Sequence, residues 1–403
     1  MIKAEQIRLP TQQSAVENSP NHTIPLSVPS LGGNTRRYIE ECIATNFVSS
    51  VGPFVERFER EFSAYVGSKF AVACSSGTAA IHVALRLLDL QPDDEVFLAT
   101  LTFAGSVNPI LYERGRPVLV DSERETWNQS SPLIIAELER RARLGIKQPR
   151  AVEAVHLLGH PCELETLSAA CDRFGVTLIE DAAEALGARY IRGKYAGRHV
   201  GTIGKIGCFS FNGNKIVTTG GGGIVTTDDE ALARRAKHLT TQARLPGAEY
   251  FHDEVGYNYR LTNLCAALGV AQMELLPQFL ERKRAIAKRY DRAFANLPGV
   301  TVPPRADWAE STHWYYTISL APEFSLDRKQ LWKRLDQERI QSRPIWTPLH
   351  LMPIYAKYPR LGGEVAESLY AGALSLPCSS DLSATDQDRV IAAITAALAA
   401  TAG

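Results

Sequence analysis

The sequence lacks a net charge: its 403 residues carry 44 Lys plus Arg against 44 Asp plus Glu. A balanced chain projects no long-range field to gather polyanions, which excludes a general nucleic-acid coat protein. Long hydrophobic runs are missing too. The opening stretch, MIKAEQIRLPTQQSAVENSPNHT, has no apolar core, so no signal peptide is expected. No segment has the apolar length of a membrane helix. The uncharged tail over 390–403 is too short to span and reads as a closing surface helix. Cysteine pairing is also absent. Cys42, Cys74, Cys162, Cys171, Cys208, Cys265 and Cys378 are odd in number, widely spaced and without a Cys-x-x-Cys. This excludes a disulfide framework and a zinc ribbon, predicts no metal site, and points to a reducing cytoplasm with most thiols in the core. No internal repeat or low-complexity linker occurs.

Apolar residues are plentiful. They make up 45% of the chain, with 22% charged, which excludes disorder. At this length two domains are expected, packed tightly. Residues 1–23 are polar, contain Pro10 and Pro20, and read as a loose arm. From about residue 24 to 62 the pattern is helical, with Tyr38, Ile39, Cys42 and Ile43 at helical spacing. Short apolar runs then alternate with amphipathic helices: 70–74, 95–100, 117–121, 151–158 and 176–181. Runs that are apolar on both faces suit strands buried between helix layers, so 24–262 reads as an α/β domain with a mostly parallel sheet. A smaller α+β domain is expected over 263–403. It opens with a helix to about residue 294, followed by a strand-like run at 314–320, a helix near 328–338 and a closing helix from 384.

Three segments carry candidate chemistry. VTLIEDAAEALGA, 176–188, ends a buried strand in Glu180 and Asp181, where ligands of open parallel sheets bind; an N-capping Asp is the plainer reading. GCFSFNGNKIVTTGGGGIVTT, 207–227, sets Lys215 between two apolar strands. Burial there would lower its pKa and free the amine as a nucleophile. The four glycines alone would favour a flexible hairpin, and they form no dinucleotide fingerprint because a strand follows them. CSSGTAAIHVALRLLDL, 74–90, places hydroxyls and free N–H groups at a helix start, which is an anion site or an ordinary cap.

Phosphate cradle, carboxylate after a strand, then lysine in a loop is the order of fold-type I enzymes that use pyridoxal phosphate. The chain resembles the sugar aminotransferases of the DegT/StrS type from about residue 24 to its last helix. EDAAEALGA, SFNGNK followed by TTGGGG, GYNYRLTN at 256–263 and RPIWTPLH at 343–350 carry the resemblance. It implies an aspartate-aminotransferase-like large domain over 24–262, with a seven-stranded, mostly parallel sheet, and a smaller α+β domain over 263–403. By the same resemblance Lys215 is the Schiff-base lysine and Asp181 the partner of the pyridine nitrogen. Glu184 stands beside the ring hydroxyl. Gly77, Thr78, Ala79 and Ser210 hold the phosphate, and Phe103 stacks on the ring. Asn258 reaches the cofactor of a partner subunit, so a homodimer with shared sites is implied, and a neutral chain can bury such an interface without a charge penalty. Arg260 would face substrate anions nearby. His313, Trp314 and Tyr316, with Arg343, Trp346 and His350, are candidates for the nucleotide sugar, since Arg and His suit a diphosphate and aromatics a base or sugar face.

Within the family the chain looks closest to aminotransferases of the bacillosamine and legionaminic acid pathways, which act on a UDP-linked 4-keto-6-deoxy N-acetylhexosamine. The marks are SLGGNTRRYIEECIATNFVSSVGP, SFNGNK and LTTQAR. Perosamine synthases, which take a GDP-linked 4-keto-6-deoxymannose, are near relatives. The amino donor implied is L-glutamate. Subfamily members that dehydrate at carbon 3 have His where Lys215 stands, so Lys215 argues for transamination. The rival from another class is a regulator that binds pyridoxal phosphate without turnover. The chain offers it no helix-turn-helix appendage and no basic composition.

Overall fold

The computed structural model describes residues 22–321 and 323–399. The loose arm expected over 1–23 lies almost wholly outside the described residues, as does the end of the tail, 400–403. The first strands are β1 (Phe70–Cys74), β2 (Glu95–Ala99), β3 (Arg116–Val120), β4 (Ala151–Val155), β5 (Thr177–Asp181), β6 (Arg189–Tyr190), β7 (Ile206–Ser210) and β8 (Gly223–Thr227). Later ones are β9 (Val300–Thr301), β10 (Ala309–Glu310), β11 (Tyr316–Leu320), β12 (Arg343–Pro344), β13 (Arg360–Leu361) and β14 (Ala373–Leu376).

The main sheet runs β1-β8-β7-β5-β4-β2-β3-β13. β8 is antiparallel to both neighbours and the other pairings are parallel. The expected seven strands are therefore joined by an eighth, a two-residue edge strand from the 263–403 region. Alternation along each strand splits the side chains between two helix layers. Val96 and Leu98 of β2 belong to the core on one face of the sheet with Val107 and Ile110, while Phe97 belongs to the core on the other, which also holds Phe54, Phe58 and Phe62. Phe62 stands edge-on to Phe209 and Phe211, with centroids 5.0 and 5.5 Å away. Each such buried ring contributes about 1.5–3 kcal/mol by burial.

A 32-residue helix, Asn263–Phe294, opens the second region as expected. It serves two cores. Val270, Leu276 and Phe279 join the core of the main sheet, while Ile286, Tyr290 and Phe294 join the core under β11 and β14. The start of the described chain departs from the helical expectation: Ile24 is extended, bridges Ile340 and is buried in the second core. Helices begin only at Thr35–Ala44 and Pro53–Val66. Local periodicity does not reveal that pairing, because its partner lies more than 300 residues away. Six of the seven cysteines are buried and all are free. No helix among the described residues is long and apolar enough to cross a membrane.

Candidate active site

The carboxyl ends of β5 and β7 and the start of the helix Gly77–Leu87 open on one pocket of about 400 Å³. This is where an open α/β sheet binds ligands. Lys215, in the loop between β7 and β8, is half-buried. Its Nζ lies 3.6 Å from the centroid of the Trp314 ring. Burial pushes the amine below the ordinary lysine range, and the carboxylates of Glu184 and Asp181 pull it back up. Trp314 is clamped from both sides: its Nε1 donates to Asn214 O at 2.7 Å, and its carbonyl accepts from the buried Lys283 Nζ at 2.8 Å.

Glu180 and Asp181 are adjacent in sequence, and the strand sends them to opposite faces. Glu180 is structural. Its carboxylate takes His156 Nε2 at 2.9 Å and the N–H groups of Gly201, Ile203 and Gly204, fixing the turn before β7. Asp181 faces the pocket. It accepts from Ser106 Oγ at 2.8 Å and from Ala183 N–H at 3.0 Å. Burial raises its pKa, and these two bonds with the charge of Lys215 oppose the rise. Glu184 is pushed up to about 7 by burial, against the opposing charge of Lys215 and a 2.7 Å bond from Leu158 N–H. That bond also explains why the run 151–158 stops as a strand at Val155. The chain turns through Leu157–Gly159, with Leu158 at φ +55°, and so aims its N–H at Glu184.

The phosphate end is built from backbone. Ser76 caps the helix, its Oγ accepting from Ala79 N–H at 3.0 Å. Gly77 and Thr78 line the pocket, and their N–H groups find no acceptor among the described residues. A Cβ at Gly77 would stand 2.6 Å from Ser210 Cβ, so only glycine lets the helix start meet the end of β7. Ala79, expected in this cradle, is corrected: its N–H is occupied by the cap and its side chain is buried. Phe103 is 59% exposed and lines the pocket, so it is not a packing residue. An amine, a facing carboxylate, an anion-binding helix start with the Ser210 hydroxyl, and a free aromatic face form the donor set for pyridoxal phosphate. The residues fit that group.

Arg343, Trp314 and Trp346 also line the pocket. Other expected substrate residues do not. Tyr316 begins β11 facing inward; its hydroxyl donates to Asp291 at 2.9 Å and its ring lies 4.8 Å from that of Tyr290. Its neighbour Tyr315 lines the pocket instead, in the segment just before β11, where its ring stacks on that of Trp314 with centroids 4.1 Å apart. His350 is a buried brace between Thr100 Oγ1, at 2.6 Å, and Glu367, at 3.0 Å. His313 turns at φ +50° into a different cavity. Arg260 bridges Cys74 through its backbone and points at Ser50 O, outside the pocket. Asn258, expected to reach a second subunit, is exposed on a bridge to Thr241 and away from its own chain's pocket. Ser106, Asn212, Asn214, Tyr315 and Ser375 were not singled out by sequence. Ser106 is 75 residues from Asp181, and no local pattern announces the contact.

The Glu184–Lys215 pair has a measurable consequence. Glu184→Gln removes a negative charge that favours the ammonium, so the Lys215 pKa falls. The rate at which the cofactor-free chain takes up pyridoxal phosphate follows the free amine. Its inflection with pH should move to lower pH in Glu184→Gln, and an unmoved or raised inflection would break the assigned coupling.

The DegT/DnrJ/EryC1/StrS aminotransferase family model matches residues 29–395. EpsN of Bacillus subtilis is 41% identical over 374 residues, covering 91% of this chain and 94% of that protein. A GDP-perosamine synthase of Caulobacter vibrioides is 39% identical, covering 92% of this chain and 97% of that protein. Among solved structures, DesV of S. venezuelae superimposes with a TM-score of 0.81 at 31% identity, covering 90% of this chain and 94% of that one. The chain therefore belongs to the DegT/DnrJ/EryC1/StrS aminotransferase family, and is a sugar aminotransferase dependent on pyridoxal phosphate.

Proposed function

We propose that the chain moves the amino group of L-glutamate to carbon 4 of a nucleotide-linked 4-keto-6-deoxy sugar, UDP-4-keto-6-deoxy-N-acetylhexosamine, in making a bacterial surface-glycan sugar. The observation that carries this is the single pocket in which Lys215 faces Asp181 and Glu184 under a wall of Trp314, Tyr315, Trp346 and Arg343. Bound pyridoxal phosphate supplies the electron sink that takes up an amino group and gives it back. Lys215 would hold it and would move the proton at the carbon that loses or gains nitrogen. Asp181, whose charge the bonds from Ser106 and Ala183 favour against burial, would be the partner of the ring nitrogen. Glu184, near its midpoint at neutral pH, exchanges a proton beside Lys215. Arg343 suits the carboxylate of glutamate or a phosphate of the sugar nucleotide. Two chains complete two sites in this reading. The exposed apolar side chains of Val51, Tyr250, Phe251 and Val255 support such pairing.

A GDP-linked 4-keto sugar is the second reading, favoured by the GDP-perosamine synthases among the relatives. Incubation with glutamate and UDP-, GDP- and dTDP-linked 4-keto sugars separates the two, with products identified by mass and NMR. Conversion of the UDP sugar is expected; turnover of the GDP sugar alone would overturn the choice of nucleotide.

A further inference from the structure

A separate cavity of about 260 Å³ shares no lining residue with the active pocket of about 400 Å³. Three chain segments build it. The long helix presents Arg284 and Lys288 one turn apart on one face. The loop from β9 to β11 brings Arg305 and His313, with Glu310 of β10, and the turn after β4 brings His160.

The lining carries three permanent cations and one carboxylate. Glu310 is already engaged by Arg284 Nη2 at 3.1 Å and by Arg189. Arg305 pairs with Asp291. Lys288 is exposed and makes no ion pair among the described residues, and Arg284 Nε is buried without a hydrogen-bond partner. His313 supplies the independent observation. It is 7% exposed, it lines this cavity, and its ring nitrogens have no partner among the described residues. His160, next to it, is fully satisfied: one ring nitrogen meets Pro161 O at 2.8 Å and the other accepts from Ala306 N–H at 3.2 Å. Burial, then Arg305, His160 and Arg284, push His313 down to about 3, so its ring is neutral and keeps one unengaged N–H. The side chain is enclosed, yet its ring nitrogens stay open to solvent and unpaired among the described residues, a position that water or a ligand completes. His313 and Arg284 therefore line a cavity with excess positive charge.

We infer that this cavity binds a small phosphate-class anion, held by His313, Arg284 and Lys288, at a site separate from the one at Lys215. The cavity is below the usual size for drug-sized ligands, so it takes inorganic phosphate or a phosphomonoester and no nucleotide sugar. The bound anion stands close to the catalytic wall. His313 precedes Trp314, and Ser311 Oγ and Thr312 N–H both hold Gly159 O, at 2.9 and 3.0 Å, next to the Leu158 N–H that binds Glu184.

The test uses protein loaded with pyridoxal phosphate, so that the phosphate cradle at Gly77 is filled. Inorganic phosphate, and separately glucose 1-phosphate, are titrated by calorimetry against chloride at equal ionic strength. Phosphate should bind the wild type, and binding should weaken by about tenfold or more in Lys288→Gln and in His313→Gln. Lys288 is exposed, so its variant tests the site even if His313→Gln folds poorly. Arg343→Gln, in the central pocket, should bind phosphate as the wild type does. Tighter binding of glucose 1-phosphate would make a phosphomonoester the ligand, and tighter binding of the free ion would make it inorganic phosphate. Wild-type binding no stronger than chloride, unchanged affinity in Lys288→Gln, or loss in Arg343→Gln would each overturn the inference.

Discussion

With Lys215 replaced by alanine, the chain folds, loses the absorption band that pyridoxal phosphate gives the wild type, and transaminates at least about 10³-fold more slowly. Among the described residues the amine makes no hydrogen bond; its contacts are the Trp314 face and the charges of Glu184 and Asp181. Burying it pushes its pKa down, which means that at neutral pH the ammonium is a cost to the folded state. Compared as cofactor-free chains, the variant should therefore melt at or above the wild-type temperature. Lys215→Arg separates charge from chemistry, because a guanidinium stays protonated and cannot act as the nucleophile or proton carrier. It should be as inactive as the alanine variant. A wild-type band bleached by glutamate in either variant would refute the assignment.

The second large effect is expected at Asp181. Asparagine keeps the shape and the bond from Ser106 and removes the charge, so the ring nitrogen loses its anionic partner. Turnover should fall by about 10²–10⁴-fold, with retained cofactor binding through Lys215. Ser106→Ala should act in the same direction and more mildly. Losing that hydrogen bond raises the Asp181 pKa further, so the acid limb of the pH–rate profile moves to higher pH. Because Ser106 works through Asp181, the double variant should be no slower than Asp181→Asn alone. Additive losses would show that Ser106 has a separate role.

The residues that were legible in the sequence share a property: each sits at the end of a strongly patterned element. Asp181 closes an apolar run, Ser210 ends another, Lys215 stands in the short loop that follows, and Gly77 and Thr78 open an amphipathic helix. Residues on less patterned backbone were misplaced. Tyr316 was chosen where Trp314 and Tyr315 line the pocket: these two precede β11 with their rings stacked, while Tyr316 enters the strand and turns to Asp291. His350 and His313 look alike as candidates for an anion. One is enclosed by Thr100 and Glu367, and the other turns into a separate cavity. Ser106 carried no local mark at all.

The absence of net charge excluded a polyanion coat, and the spacing of short apolar runs determined an α/β sheet, because burial on both faces leaves few other places for such strands. The order of cradle, carboxylate and lysine pointed to a fold-type I enzyme, and the motifs EDAAEALGA, SFNGNK, GYNYRLTN and RPIWTPLH carried the resemblance to the family. Tertiary structure decided which neighbour of each pair does the chemistry. It sent Glu180 into the turn before β7 and Asp181 into the pocket, and it brought Ser106, Trp314 and the Leu158 N–H to groups far away in sequence. It also ran one helix through two cores and closed a cationic cavity against it. The physical reason is range. Periodicity and local hydrogen bonding act over a few residues, whereas the electrostatics of a pocket are set by groups that only folding makes neighbours.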